Sequence, residues 1–299
     1  MNAVLAGVVE LEGLQMLPGG ALFRPAREQL VIADVHLGKA ASFRAQGIPV
    51  PEATTGENFA RLDRLLSITA ARQLVILGDL SHNALGRRKI RDPWLAWRGQ
   101  HAALDVVLVP GNHDVEGPRR NRRQNPQRIP DARPSAIPDG AWPGLRVVDP
   151  IWLDQKLLML HDAALLSDDR LSALRSSRGS LNHQKSETSG KVLALCGHRH
   201  PVVRVPTLAG RHAIRRPCFF LDRRGCLHLP AFGSFTGGHP VDPQPDEEVF
   251  IDAVDRILVL PKGYEARAGD KGTGWSEIPA EESKGPKGRC SDAQRQQIR

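Results

Sequence analysis

An α/β fold is what this sequence predicts, and three observations predict it. Five short runs rich in Val, Ile and Leu each end in a cluster of polar residues. Between the first two runs lies a stretch with helical spacing, and a helix is the natural crossover between parallel strands. The polar clusters all follow the carboxyl ends of their runs, the edge along which open α/β sheets gather ligands.

The runs are Gln29–Ala33 before DVH, Gln73–Leu77 before GD, Leu104–Val109 before PGNHD, Lys156–Leu160 before HD, and Lys191–Cys196 before GHRH. Apolar runs of this length, rich in β-branched residues, read as buried strands. From Glu52 to Ser67, Phe59, Leu62, Leu65 and Leu66 recur at helical spacing, with Thr54 or Thr55 as the N-cap. Asp92 and Pro93 before Trp94, Leu95 and Trp97 predict a shorter helix with proline in its first turn. Pro217–Leu221, a turn from Asp222 to Gly225, and Cys226–Leu229 read as a hairpin. Val249–Leu260 reads as a last strand, and the polar stretches Asn121–Gly140 and Ser176–Gly190 read as loops. Few apolar residues follow Lys262, so one domain over 1–262 and a disordered polar tail over 263–299 are expected.

Composition narrows the class. At 299 residues, 40% apolar and 25% charged, the chain buries a sizeable core and is not wholly disordered. Its longest apolar stretches, about half a dozen residues, fall far short of the roughly 20 that span a bilayer. The N-terminus lacks a basic segment and meets Glu10 and Glu12 at once, unlike a secretory signal. A soluble, cytoplasmic protein with no membrane partner is therefore expected. Cys196, Cys218, Cys226 and Cys290 form no CxxC pair, against a disulfide scaffold or a zinc ribbon. The net charge of +8 is concentrated: Arg119, Arg120, Arg122, Arg123, Arg128 and Arg133 stand against Asp131 alone between Gly117 and Pro134. That segment is either a polyanion-binding rim or a solvated arginine-rich loop.

The polar clusters hold Asp34, His36, Asp79, Asn112, His113, Asp114, His161, His198 and His200. Oxygen and imidazole donors without a thiolate suit a Lewis-acidic divalent metal such as manganese, iron, zinc or nickel. Taken singly, DxH and GD are common, and a lone histidine at a strand end is usually structural. The order is the signal: DxH, GD, GNHD, H and GHxH, each after its own strand.

That ordered set resembles the calcineurin-like metallophosphoesterase superfamily. DVHLGKAASFRAQGIPVP, GDLSHN, GHRHP and LPAFGSFTGG are most similar to its bacterial DNA-ligase-associated members. The resemblance implies a four-layer αββα sandwich, two mixed β-sheets flanked by helices. It implies a phosphodiesterase acting on DNA in repair, with an ATP-dependent DNA ligase, a helicase and an exonuclease as functional associates. It also implies two divalent metals, manganese first: Asp34, His36 and His200 on one, Asn112, His161 and His198 on the other, and Asp79 bridging. His113 is implied as a non-ligating general acid, with Asp114 orienting its ring. Around His161 the segment LMLHDA departs from the family pattern, which more often has Glu-Pro or a second histidine after this ligand.

The chemistry agrees. A bridging carboxylate screens two adjacent cations, water shared between them ionises near neutrality, and an imidazolium beside them protonates the leaving alkoxide. His82 is a candidate substrate contact. Lys39 either meets a phosphate or is a salt-bridged surface residue. A small-molecule phosphatase or nucleotide phosphodiesterase shares these motifs, and an inactive scaffold keeps only the fold.

Overall fold

The five apolar runs all form strands, the first two with the predicted bounds. In the computed structural model, which describes residues 7–50, 54–115, 142–179, 191–206 and 213–261, they lie in two facing sheets. The first sheet has seven strands in chain order: β1 (Val9–Leu11), β2 (Leu14–Leu17), β3 (Ala21–Arg24), β4 (Gln29–Ala33), β5 (Gln73–Leu77), β6 (Asp105–Val109) and β7 (Arg146–Val147). The strands from β1 to β4 pair antiparallel and those from β4 to β7 parallel. The second sheet contains β8 (Ile151–Asp154), β9 (Leu157–Leu160), β10 (Ala194–Cys196), β11 (Pro201–Pro206), β12 (Ala213–Leu221), β13 (Cys226–His228), β14 (His239–Pro240), β15 (Glu248–Asp252) and β16 (Ile257–Val259). Within it, β10 runs parallel to both β9 and β13.

Period-two alternation builds the layers. Leu30, Ile32, Leu74, Ile76, Val106 and Leu108 turn to one side. There they meet Leu62, Leu65, Trp94 and Trp97 of α2 (Thr54–Thr69) and α4 (Arg91–Gln100). Val31, Val75 and Val107 turn to the other side, against Met159, Leu195 and Leu227 of the second sheet. The far face of that sheet, through Leu158, Leu160 and Cys226, packs Leu171 of α5 (Asp168–Gly179). The result is helices, sheet, sheet, helix. Both faces of β4 are covered, which is why its sequence reads as an unbroken apolar run.

Some local expectations fail for identifiable reasons. The predicted last strand is two, β15 and β16, because the chain reverses at Ala253–Arg256, where Val254 takes φ 80°. Helix α5 runs into the predicted loop at Ser176. Thr54 and Thr55 are the first residues of α2 rather than its cap. Two short helices, α1 (Lys39–Arg44) and α3 (Ala84–Lys89), follow the first two polar clusters. Cys196, Cys218 and Cys226 are buried free thiols. Among the described residues no helix is long and apolar enough to cross a membrane. The segment bearing Arg119, Arg120, Arg122 and Arg123, residues 180–190 of the expected loop, and the expected tail over 263–299 lie outside the described residues.

Candidate metal centre

The turns after β4, β5, β6, β9 and β10 meet at the carboxyl edge shared by the two sheets. Backbone bonds knit the first two turns together, with His36 N–H donating to the Asp79 carbonyl at 2.8 Å and Leu37 N–H to that of Leu80 at 2.8 Å. The 229–233 segment ties in the second sheet: Leu229 N–H donates to the Cys196 carbonyl and Phe232 N–H to that of Ala33, each at 2.8 Å. Asp34, His36, Asp79, His198 and His200 all have positive φ, between 46° and 65°. For a residue with a Cβ that backbone costs about 1–3 kcal/mol and persists where surrounding structure imposes it, as at functional sites.

Two Asp–His groups result, Asp34 with His36 and His200, and Asp79 with His161 and His198. In both carboxylates one oxygen is taken by backbone and the other is left inward. Asp34 Oδ2 accepts from His198 N–H at 2.9 Å, while Oδ1 stands 3.0 Å from His200 Nε2. Asp79 Oδ1 accepts from His113 N–H at 2.8 Å, while Oδ2 faces His161 Nε2 at 3.4 Å and His36 Nε2 at 3.8 Å.

Backbone carbonyls set the rings. His161 Nδ1 donates to Leu77 at 3.0 Å and His200 Nδ1 to Gly237 at 3.1 Å, so both Nε2 atoms turn inward. His161 Nε2 then lies 3.1 Å from Asn112 Oδ1 and 3.1 Å from His198 Nδ1. Lone pairs converging this closely call for a cation or a proton between them.

The electrostatics say the same. Burial holds the His36 imidazole down to about 3, against the Asp79 charge, so it stays neutral and able to ligate. Burial acts to lower His161 too, but the Asp79 carboxylate overrides it and lifts that ring to about 10. Asp79 is held well below the usual carboxylate range, burial being outweighed by His161. Burial and then His161 lower His198.

Glycine makes the approach possible. A Cβ on Gly78, at φ +72°, would overlap the His161 ring, and one on Gly111 would overlap the Asp79 carboxylate.

Asp114 does not orient His113. Its carboxylate is fully buried and accepts from Gly111 N–H at 3.0 Å and Ser81 N–H at 3.3 Å, bracing the GNHD turn against GDLS. Burial, then the Asp79 charge, pushes it up to about 7. The His113 ring is held instead by the His82 carbonyl, 2.7 Å from Nδ1, and its Nε2 lies 3.9 Å from Asp79 Oδ2. The His82 ring stacks on that of His113 at 5.3 Å.

Lys39 makes no salt bridge among the described residues. It is half-buried, lines a cleft beside His36, and has its pKa lowered by burial against the pull of Asp79 and Asp34. Asp162 matches no motif in the sequence although it follows His161 directly; its Oδ2 lies 3.8 Å from His198 Nε2.

Two mixed sheets that bring aspartates and histidines from separate turns to one edge define a metallophosphoesterase. The chain belongs to the calcineurin-like phosphoesterase family, whose model matches residues 29–219. The solved structure of the Pseudomonas putida nuclease MPE is similar, at 30% identity and TM-score 0.56, covering 85% of this chain and 98% of that one. No curated protein matches the chain. The family makes it a metal-dependent hydrolase of phosphoric esters.

Proposed function

We propose that this chain hydrolyses phosphodiester bonds in DNA with two divalent cations, manganese first. The observation that carries the reading is Asp79 Oδ2, which stands between the two groups at 3.8 Å from His36 and 3.4 Å from His161. The residues fit cations. Asp34 Oδ1 and His200 Nε2 are buried 3.0 Å apart, form no aligned hydrogen bond, and find no other hydrogen-bond partner among the described residues. Buried polar atoms left this way cost free energy until a ligand satisfies them.

Asp34, His36 and His200 would hold one cation, Asn112, His161 and His198 the other, and Asp79 both. Bound there, they supply Lewis-acid polarisation of phosphoryl oxygens and shift the ionisation of water toward neutral pH. His113 handles the leaving group. Its Nδ1–H is committed to the His82 carbonyl, so in the imidazolium form Nε2 carries the transferable proton and delivers it to the departing oxygen. A side chain 32% exposed lets solvent reload that atom.

Lys39 meets a substrate phosphate from the cleft wall, and His82 contacts substrate from beside His113. Arg119, Arg120, Arg122 and Arg123 extend the phosphate contacts, a role assigned from sequence alone. Nucleic acid is supported by that basic segment and by the relative, a nuclease. A place in DNA repair, beside an ATP-dependent ligase, a helicase and an exonuclease, rests on the motif resemblance, whereas a domain ending at residue 262 rests on the loss of apolar residues after Lys262.

The test compares bis-p-nitrophenyl phosphate with the monoester, and DNA cleavage across a salt series, all with added manganese. Faster diester turnover and DNA cleavage that weakens steeply with salt are expected. Monoester turnover without DNA cleavage would overturn the reading.

A further inference from the structure

A row of aromatic rings leads out of the centre. His113 and His82 stack with centroids 5.3 Å apart and planes 22° apart. His82 stacks in turn on Phe43 of α1, at 6.0 Å and 28°, and Phe43 meets Phe235 edge-on at 5.7 Å and 77°. Phe235 ends the row with 39% of its surface exposed. A singly exposed phenylalanine is ordinary on a protein surface. This one is not single, because it caps a line of rings that begins beside the reacting phosphate.

The same ring borders the cleft that contains His36, Lys39, Asn58 and Thr236. Its polar groups are those a nucleotide needs. Lys39 brings a half-buried cation that makes no salt bridge among the described residues, and the buried Thr236 Oγ1 finds no hydrogen-bond partner there. A phosphate contact and an exposed ring on one cleft are the two kinds of group that a nucleotide with an unpaired base engages.

The geometry points to Phe43 and Phe235 as a stacking platform for the unpaired base of the nucleotide flanking the scissile phosphate. It rests on the reading of the centre as a nucleic-acid phosphodiesterase and adds a specificity element to it. Aromatic faces hold bases this way with little regard to base identity, because every base has a π-face. His82, between Phe43 and His113, carries the platform into register with the general acid.

The test uses the manganese-loaded protein and two short oligonucleotides, one of thymidines and one with abasic spacers replacing the central bases. Wild type is expected to prefer the base-bearing oligomer by kcat/KM. Phe235→Ala should collapse that ratio by about 5- to 150-fold, the worth of one stacked base. Phe235→Trp should keep it. An unchanged ratio in Phe235→Ala overturns the platform while leaving the phosphodiesterase reading intact. If wild type cleaves neither oligomer nor bis-p-nitrophenyl phosphate, that reading fails, and whenever neither oligomer is cleaved, fluorescence anisotropy of both in EDTA decides the platform. A narrowed affinity gap in Phe235→Ala then supports it, and an unchanged gap overturns it.

Discussion

The Nδ1 atom of His113 lies 2.7 Å from the backbone carbonyl of His82, and this bond, not the Asp114 carboxylate, sets the ring. Ring orientation and turn stability are thereby divided between two neighbouring groups. Asp114 holds two backbone N–H groups, and an asparagine side chain has one acceptor oxygen for both. Asp114→Asn should therefore lower the thermal midpoint by the equivalent of about 1–3 kcal/mol. Turnover of folded protein should fall less than about tenfold, whereas a histidine that loses the carboxylate setting its tautomer slows by about 10⁴. Full stability with a loss of that larger order would return Asp114 to the catalytic machinery.

His113→Ala separates acid from ligand. Metal content measured by mass spectrometry should stay at the wild-type level while kcat on DNA falls by about 10²–10⁴. An emptied centre would mean that His113 ligates.

Gly78→Ala reaches the centre without touching a polar group. The new methyl meets the His161 ring, and the backbone there has φ +72°. Strain at such a position costs about 1–3 kcal/mol, and displacing the ring adds to it. A lower melting temperature is expected, with activity recovered only partly by excess manganese. Wild-type behaviour on both counts would show that the ring has room to move.

The centre also makes metal-free stability depend on pH. His161 is raised from 6.5 to about 10, so its contribution is complete below 6.5 and is lost as pH rises through about 10. Asp114, raised to about 7, adds a smaller fall that ends near pH 8, His36 has finished titrating by then, and the raised Cys196 and Cys218 thiols act only toward pH 9 and above. Between pH 7 and 9 in EDTA, the melting temperature should fall, and His161→Gln should flatten that slope. A cation in place of the proton should flatten it as well. Equal slopes with and without manganese would count against a cation beside His161.

What the sequence made legible follows from what burial does to composition. β4 and β5 are covered on both faces, so Gln29–Ala33 and Gln73–Leu77 stand out as apolar runs with their true bounds. β1, β2 and β3 are three or four residues each, set off by Gly13, Gly19 and Gly20, and no run announces them. The candidate ligands were legible because their side-chain chemistry is rare in that order. What aims them was not. Asp34 and His36 take positive φ although they are not glycine, and the atoms that fix His113, His161 and His200 are backbone carbonyls of His82, Leu77 and Gly237. A carbonyl is present at every residue, so spacing carries no trace of it. The Phe43–Phe235 contact joins segments far apart in the chain, and only the closed sandwich brings them together.

The central claim is that Asp79 joins two cation sites, and the metal bound by wild type and by Asp79→Asn tests it most directly. Titration calorimetry with manganese, checked by mass spectrometry, should give two equivalents per chain for wild type. Asp79→Asn should bind one or fewer, with loss of diester hydrolysis. Two tightly bound equivalents in Asp79→Asn, or hydrolysis by wild type with none bound, would contradict the account.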